Sequence, residues 1–347
     1  MSTHTLTAPA GRPTAAPLLD GRRGWKGHVD EMEADPLGLL SRARDRGPVV
    51  RLRFGHLSAY AVSDPGAIRQ VLVGDAARFD KATRSYRLLK RMIGDGLVTA
   101  QGESWLARRR VAQPAFLRKR IAVLAERMVA ATAELADGWA PGETVDVHEA
   151  MNALALRVAG ETFFSADLTG EAGAIGQALA VGMEAFDGLM HTALPYAEFW
   201  PTPTAARFWG AARTLRRITD QLIAQRRASG AELPDLLGLL MAAAAEAGTL
   251  TDAELRDEAL TMLVAGHETT GNGLTWLFKL LAEHPEVVAK LQAELSEALA
   301  GRAPTAADYR RLPYTQQVVK ESLRLYPPVW VVERRANAAT SLAGVQV

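Results

Sequence analysis

From Pro65 onward apolar positions recur at intervals of three and four, the period of an α-helix, interrupted only by prolines, glycines and short polar runs. The pattern predicts long helices over Arg118 to Trp139, His148 to Phe164 and Glu171 to His191. An aromatic, proline-broken linker (Pro195, Phe199, Trp200, Pro201, Pro203) then leads to a helix ending near Arg227. Pro36 to Arg46 and Pro65 to Val73 read as shorter helices, the second capped by Asp64. Strand patterns are confined to the two ends. Val49 to Phe54 and Ser58 to Val62 flank Gly55-His56 as a hairpin, the tail from Val329 reads as strand, and Gly344-Val345-Gln346-Val347 reads as a sheet segment. The expected fold class is mainly α with small β-sheets, with no internal repeat and no second domain boundary.

The best-specified helix is Asp252 to His284. Thr251 and Glu254 form a capping box and Leu250 and Leu255 its hydrophobic staple. Helical throughout, it spans roughly 50 Å, and Met262, Leu263, Val264, Leu274, Trp276, Leu277 and Phe278 make nearly every face apolar, as in a helix through the centre of a domain. Pro285 opens the next helix, with Val288, Leu291, Leu295 and Leu299 on one stripe; Pro313 opens another, which Pro327-Pro328 ends.

Composition narrows the function. Forty basic against thirty-nine acidic side chains give a net charge of +1, so no overall field favours nucleic acid or an anionic membrane. The chain has no cysteine, which excludes disulfides, thiolate metal sites and a cysteine nucleophile and leaves the compartment open. Met1 to Leu18 lacks a basic start and an apolar core and reads as a disordered leader, assigned to residues 1–20; the longest apolar run, Leu236 to Ala245, is far shorter than the ~20 residues of a membrane helix. A cytoplasmic protein of GC-rich bacterial composition is expected. Gly94-x-Gly96 lacks the rest of a dinucleotide loop, and the histidines show no metal-type pairing.

Candidate chemistry lies on the long helix. Gly266, Gly271 and Gly273 together cost roughly 3 kcal/mol of helix propensity, and something must offset that. Close packing is one explanation, equally weighted with others for Gly271 and Gly273. Gly266 adjoins Ala265 and precedes Glu268 and Thr269, so it either admits a small or flat ligand beside a proton-carrying pair or belongs to a buried polar cluster satisfied by its neighbours.

Ala265-Gly266-His267-Glu268-Thr269-Thr270 resembles the oxygen-binding stretch of the long central helix of cytochromes P450. Further segments match in order. Gly94-Asp95-Gly96-Leu97, Gly102, Trp105, Arg109 and Pro114-Ala115-Phe116 resemble the family's approach to its Trp-x-x-x-Arg helix. Glu321-Ser322-Leu323-Arg324-Leu325-Tyr326-Pro327-Pro328 resembles its Glu-x-x-Arg helix, and Arg334, with Arg335 as a rival, resembles a strand arginine near the end. The resemblance implies haem b, with Ala265 and Gly266 at the oxygen-binding face, Glu268 and Thr269 relaying protons, Trp105 and Arg109 on one propionate and Arg334 on the other. It implies that Glu321 and Arg324 are structural, locking the core behind the haem. The other cations from Arg108 to Arg120 read as a solvated basic face, and His267 as a core or surface residue.

The resemblance runs from about Pro36 to Val347 and leaves out the family's Phe-x-x-Gly-x-x-x-Cys-x-Gly loop, so residues 21–347 are expected to form a partial P450 domain, incomplete at the C-terminus, with its central helices exposed on the proximal side and prone to aggregation. The implied function is haem-thiolate monooxygenation of an apolar small molecule, with a ferredoxin or flavodoxin-type electron donor and neither nucleic acid nor membrane as partner. The chain alone is expected to be inactive for want of the iron-ligating cysteine, so no metal ligand is assigned. The alternative is a non-catalytic P450-like auxiliary protein that partners another enzyme; a plain helical binding module requires every motif to coincide by chance. The loop between Phe79 and Met92 and the aromatic linker from Leu194 to Trp209 occupy the family's substrate-contact regions and point to an apolar pocket.

Overall fold

The Thr251 to Glu254 capping box is formed in the computed structural model: Glu254 N–H donates to Thr251 Oγ1 at 3.3 Å, and Thr251 N–H to Glu254 Oε2 at 2.8 Å. The structure describes residues 14–21, 24–192, 196–246 and 250–347, which fall into two compact units. The unit boundary has no linker signature because the chain enters the first unit three times, up to Tyr86, over Asp187–Trp200 and over Glu333–Val347.

The first unit contains β1 (Thr14–Ala15), α1 (Val29–Ala34), α2 (Pro36–Arg46), the hairpin β2 (Val49–Phe54) and β3 (Leu57–Val62), α3 (Pro65–Arg69) and β4 (Phe79–Asp80), with β5 (Arg335–Ala336), β6 (Ser341–Leu342) and β7 (Val345–Gln346) from the end of the chain. Asp64 caps α3 through Ala67 N–H at 2.7 Å, and the helix continues as a π turn, Gln70–Gly74. The hairpin register pairs Val49 with Val62 and Phe54 with Leu57. Leu19, Leu39, Ala43, Val50 and Leu52 form one core cluster; Val49, Ala67, Leu342 and Val345 form another.

The leader expectation requires correction. Residues 14–20 are built into this unit: β1 pairs in parallel with β7, Leu18 bridges Arg51, and Leu19 is buried. His28, fully buried, ties them down by accepting the Arg53 N–H at Nδ1 (3.1 Å) and donating from Nε2 to Leu19 O (3.2 Å). Residues 1–13, Leu194 and Pro195 lie outside the described residues. The tail also differs from expectation. Val329 to Arg334 is irregular although its valines favour strand, because no neighbouring strand pairs with it; pairing starts at β5, antiparallel to β4.

The second unit is helical, with α4 (Arg84–Ile93) and α8 (Ala172–His191) shared between the units. It holds α5 (Gly102–Ala112), α6 (Arg118–Asp137), α7 (Val147–Phe163), α9 (Pro203–Ser229), α10 (Leu236–Ala245), α11 (Asp252–Glu283), α12 (Pro285–Leu299) and α13 (Pro313–Leu325). α7 and α11 pack antiparallel: a Cβ on Gly271 would lie against Asn152, and one on Gly266 against Phe163 and Ala159. Leu255, Leu260 and Leu263 are fully buried, whereas Trp276 and Phe278 are exposed, so α11 is central over its first five turns and superficial beyond. Val319, Leu323 and Leu325 of α13 and Val329 to Val332 are likewise exposed.

Candidate functional site

Two turns of α11 carry the motif, and helical spacing divides it between two faces. Ala265 and Thr269 lie one turn apart, and the Thr269 hydroxyl donates to the Ala265 carbonyl at 2.6 Å. Gly266 lies against α7, where a side chain would meet the Phe163 ring at 2.8 Å; its missing Cβ therefore serves helix packing. His267 is buried; burial pushes its imidazole below the usual range, opposed by a hydrogen bond with the Asn152 backbone, and Nδ1 has no partner among the described residues. Glu268 is half-buried, and burial pushes its carboxyl up, opposed by the charge of His148 on α7.

On α5 the Trp105–Arg109 spacing yields a stack, with the Arg109 guanidinium 5.1 Å from the Trp105 ring centroid. Arg109 is exposed and Trp105 half-buried, leaving the fork of N–H donors open to an anion.

Arg108, assigned from the sequence to a solvated basic face, is instead buried, with its side chain only 4% exposed. It donates to Ser104 Oγ (3.0 Å), to Glu258 Oε1 (3.1 Å) and to Glu254 Oε1 (3.1 Å). Burial pushes the Glu258 carboxyl up, and the Leu97 N–H and Arg108 pull it back. The sequence did carry a signal: Glu254 and Glu258 are like charges one turn apart on a helix bound for the interior, and such a pair requires a cation.

In the first unit Arg334 lies 6.0 Å from the Tyr86 ring centroid and donates weakly to its hydroxyl at 3.4 Å. Lys81 Nζ lies 5.8 Å from the same centroid, its ammonium lowered to about 8 by burial and by the charge of Arg334. Arg335, the rival for the same role, is committed to Asp80 at 2.6 and 3.2 Å. Lys81 escaped sequence reasoning because nothing local marks it as half-buried.

Glu321 and Arg324 form a two-pronged pair at 2.6 and 2.8 Å, on the surface of α13, their side chains 54% and 67% exposed. The expected lock on a core is not formed among the described residues. Just past the end of α13, Tyr326 stacks on Trp276 of α11, ring centroids 4.2 Å apart. Among the described residues no helix is long and apolar enough to cross a membrane, and no cluster of side chains has metal-binding geometry.

The sequence model of the cytochrome P450 family matches residues 28–347. The chain is similar to cyclooctat-9-en-7-ol 5-monooxygenase of Streptomyces melanosporofaciens, 37% identical over 97% of this chain and 74% of that protein. It is also similar to pentalenene oxygenase of Streptomyces avermitilis (33%, covering 100% and 76%) and to cyclooctatin synthase of Streptomyces melanosporofaciens (36%, covering 98% and 75%).

Proposed function

Since the chain belongs to the cytochrome P450 family of haem monooxygenases, we propose that its residues serve the hydroxylation of an apolar cyclic alkene or alkenol, the substrate chemistry that its relatives' names carry. Members of the family draw electrons from a redox partner; a ferredoxin or flavodoxin-type donor is proposed here.

The residues suit the carboxylates of haem. Arg109 stacked on Trp105 offers a fork of donors in one unit. Arg334, which shares one aromatic ring with Lys81 in the first unit, is proposed for a haem carboxylate from the family resemblance. The chain contains no cysteine, so a thiolate for the iron is not among these residues. We propose that for this reason the chain alone is not a competent monooxygenase.

When bound, haem supplies dioxygen activation. The chain's own part is proton handling and shape. The Thr269 hydroxyl, held on the Ala265 carbonyl, keeps its oxygen available as an acceptor. Glu268, the preceding residue, has a carboxyl whose burial favours its protonated form, and it is proposed as the proton donor of this stretch from the family resemblance.

The observation that carries the reading is the Thr269–Ala265 hydrogen bond beside a half-buried carboxyl in a P450 sequence. With haem loaded and a thiolate supplied to the iron, Thr269→Ala is expected to uncouple electron consumption from product formation, by roughly tenfold or more. Unchanged coupling removes Thr269 from the relay.

A further inference from the structure

α5 lies against α10, and its apolar anchors are few: Ala112 is buried, Trp105 and Val111 half-buried. Arg108 and Ala112 are its buried residues, and Leu106 is exposed. Burial of so little apolar surface is non-directional and leaves the rotation of the helix weakly specified. The directional contacts are polar, and they converge on one stretch of α11.

The loop entering α5 is pinned first. Asp95 N–H donates to Asp257 Oδ2 at 2.9 Å and Leu97 N–H to Glu258 Oε2 at 3.1 Å. Both flanking glycines are required by the close approach: a Cβ on Gly94 would meet the Asp257 carboxyl at 2.1 Å, and one on Gly96 would meet Thr261 Oγ1 at 2.0 Å. The last turns of α5 are pinned second, where the Arg108 guanidinium spans Glu254 and Glu258, one α11 turn apart, while Ser104 braces Nε. A planar fork contacting two carboxylates at fixed spacing sets both the rotation of α5 about its axis and its position along α11. Arg108 lies between Trp105 and Arg109 in sequence, so fixing it fixes where their stack points.

We propose that Arg108 is the positioning residue of the Trp105–Arg109 pair, aligning that anion-binding stack with the α11 stretch leading to Ala265. This rests on the reading of Trp105 and Arg109 as a haem propionate site, and the test separates the two. The full chain is labelled with 5-fluorotryptophan, its Trp105 fluorine resonance is assigned by its loss in Trp105→Phe, and haem affinity is measured by titration of the haem absorbance. Arg108→Met is expected to shift the Trp105 resonance and to weaken haem binding roughly tenfold. Arg108→Lys keeps a buried cation and therefore the fold, but one ammonium cannot serve Ser104, Glu254 and Glu258 together; it is expected to change both readouts in the same direction, by less. If Arg108→Met does not fold, Arg108→Lys decides. A folded Arg108 variant with a lowered melting temperature but parental Trp105 resonance and haem affinity would mean that Arg108 is structural only, and overturns the proposal. If Arg109→Gln leaves haem affinity unchanged, the propionate reading fails instead, and the Trp105 resonance alone then decides whether Arg108 positions the stack.

Discussion

Lys81 keeps its proton less readily than an exposed lysine because burial and Arg334 both oppose the charge, lowering it from an ordinary 10.5 to about 8. The unfolded chain therefore binds this proton more tightly than the folded one. Between the two values stability rises with pH, and below the lower one the folded state carries the whole penalty. Lys81→Met should then melt higher than the parent near neutrality, with the advantage fading as pH approaches the ordinary lysine value; melting curves across this range check it, and a pH-independent difference would remove the electrostatic explanation. The Trp105–Arg109 stack was legible, because an aromatic–arginine pair one turn apart is local. The neighbouring Arg108 was read as solvated because its partners lie about 150 positions away, at a distance no local pattern reports.

At the scale of elements, the glycines of α11 separate into two kinds. Gly271 faces α7 so closely that a Cβ would lie 2.9 Å from the Asn152 backbone, whereas at Gly273 the nearest atoms, on Pro328 and Leu323, are at 3.5 and 3.7 Å. Gly271→Ala is expected to destabilise by about 1 to 3 kcal/mol through overpacking. Gly273→Ala should stabilise by up to about 1 kcal/mol, since only helix propensity changes. Denaturant unfolding of the two variants tests the pair, and equal effects would show that α7 can yield. The loop expected between Phe79 and Met92 is largely α4, Arg84–Ile93, but several helices were legible almost to the residue, since α2 runs over Pro36–Arg46 as expected and α11 ends one residue before His284. Their prolines and capping box are chemical stops written locally. The strand expected from Val329 failed because a strand is completed by a partner elsewhere.

For the whole molecule, family membership and the helical class were readable from ordered motifs, but the division into two units was not. The distal motif was legible as a string while its faces were not, since only packing shows that Gly266 meets Phe163. Without a cysteine, the 347 residues are expected, after loading with haem, reduction and addition of CO, to lack the red-shifted absorbance band of a thiolate-ligated haem. A strong band of that kind would require a thiolate from outside the chain.

Glu254 links two of these scales. Its Oε2 closes the capping box on the Thr251 N–H and hydroxyl, both at 2.8 Å, while Oε1 receives Arg108. The first turn of α11, the costly step in forming any helix, thus holds in place the carboxylate on which α5 docks. Loss of the Glu254 carboxylate would therefore be felt in two elements at once, the start of α11 and the seating of α5.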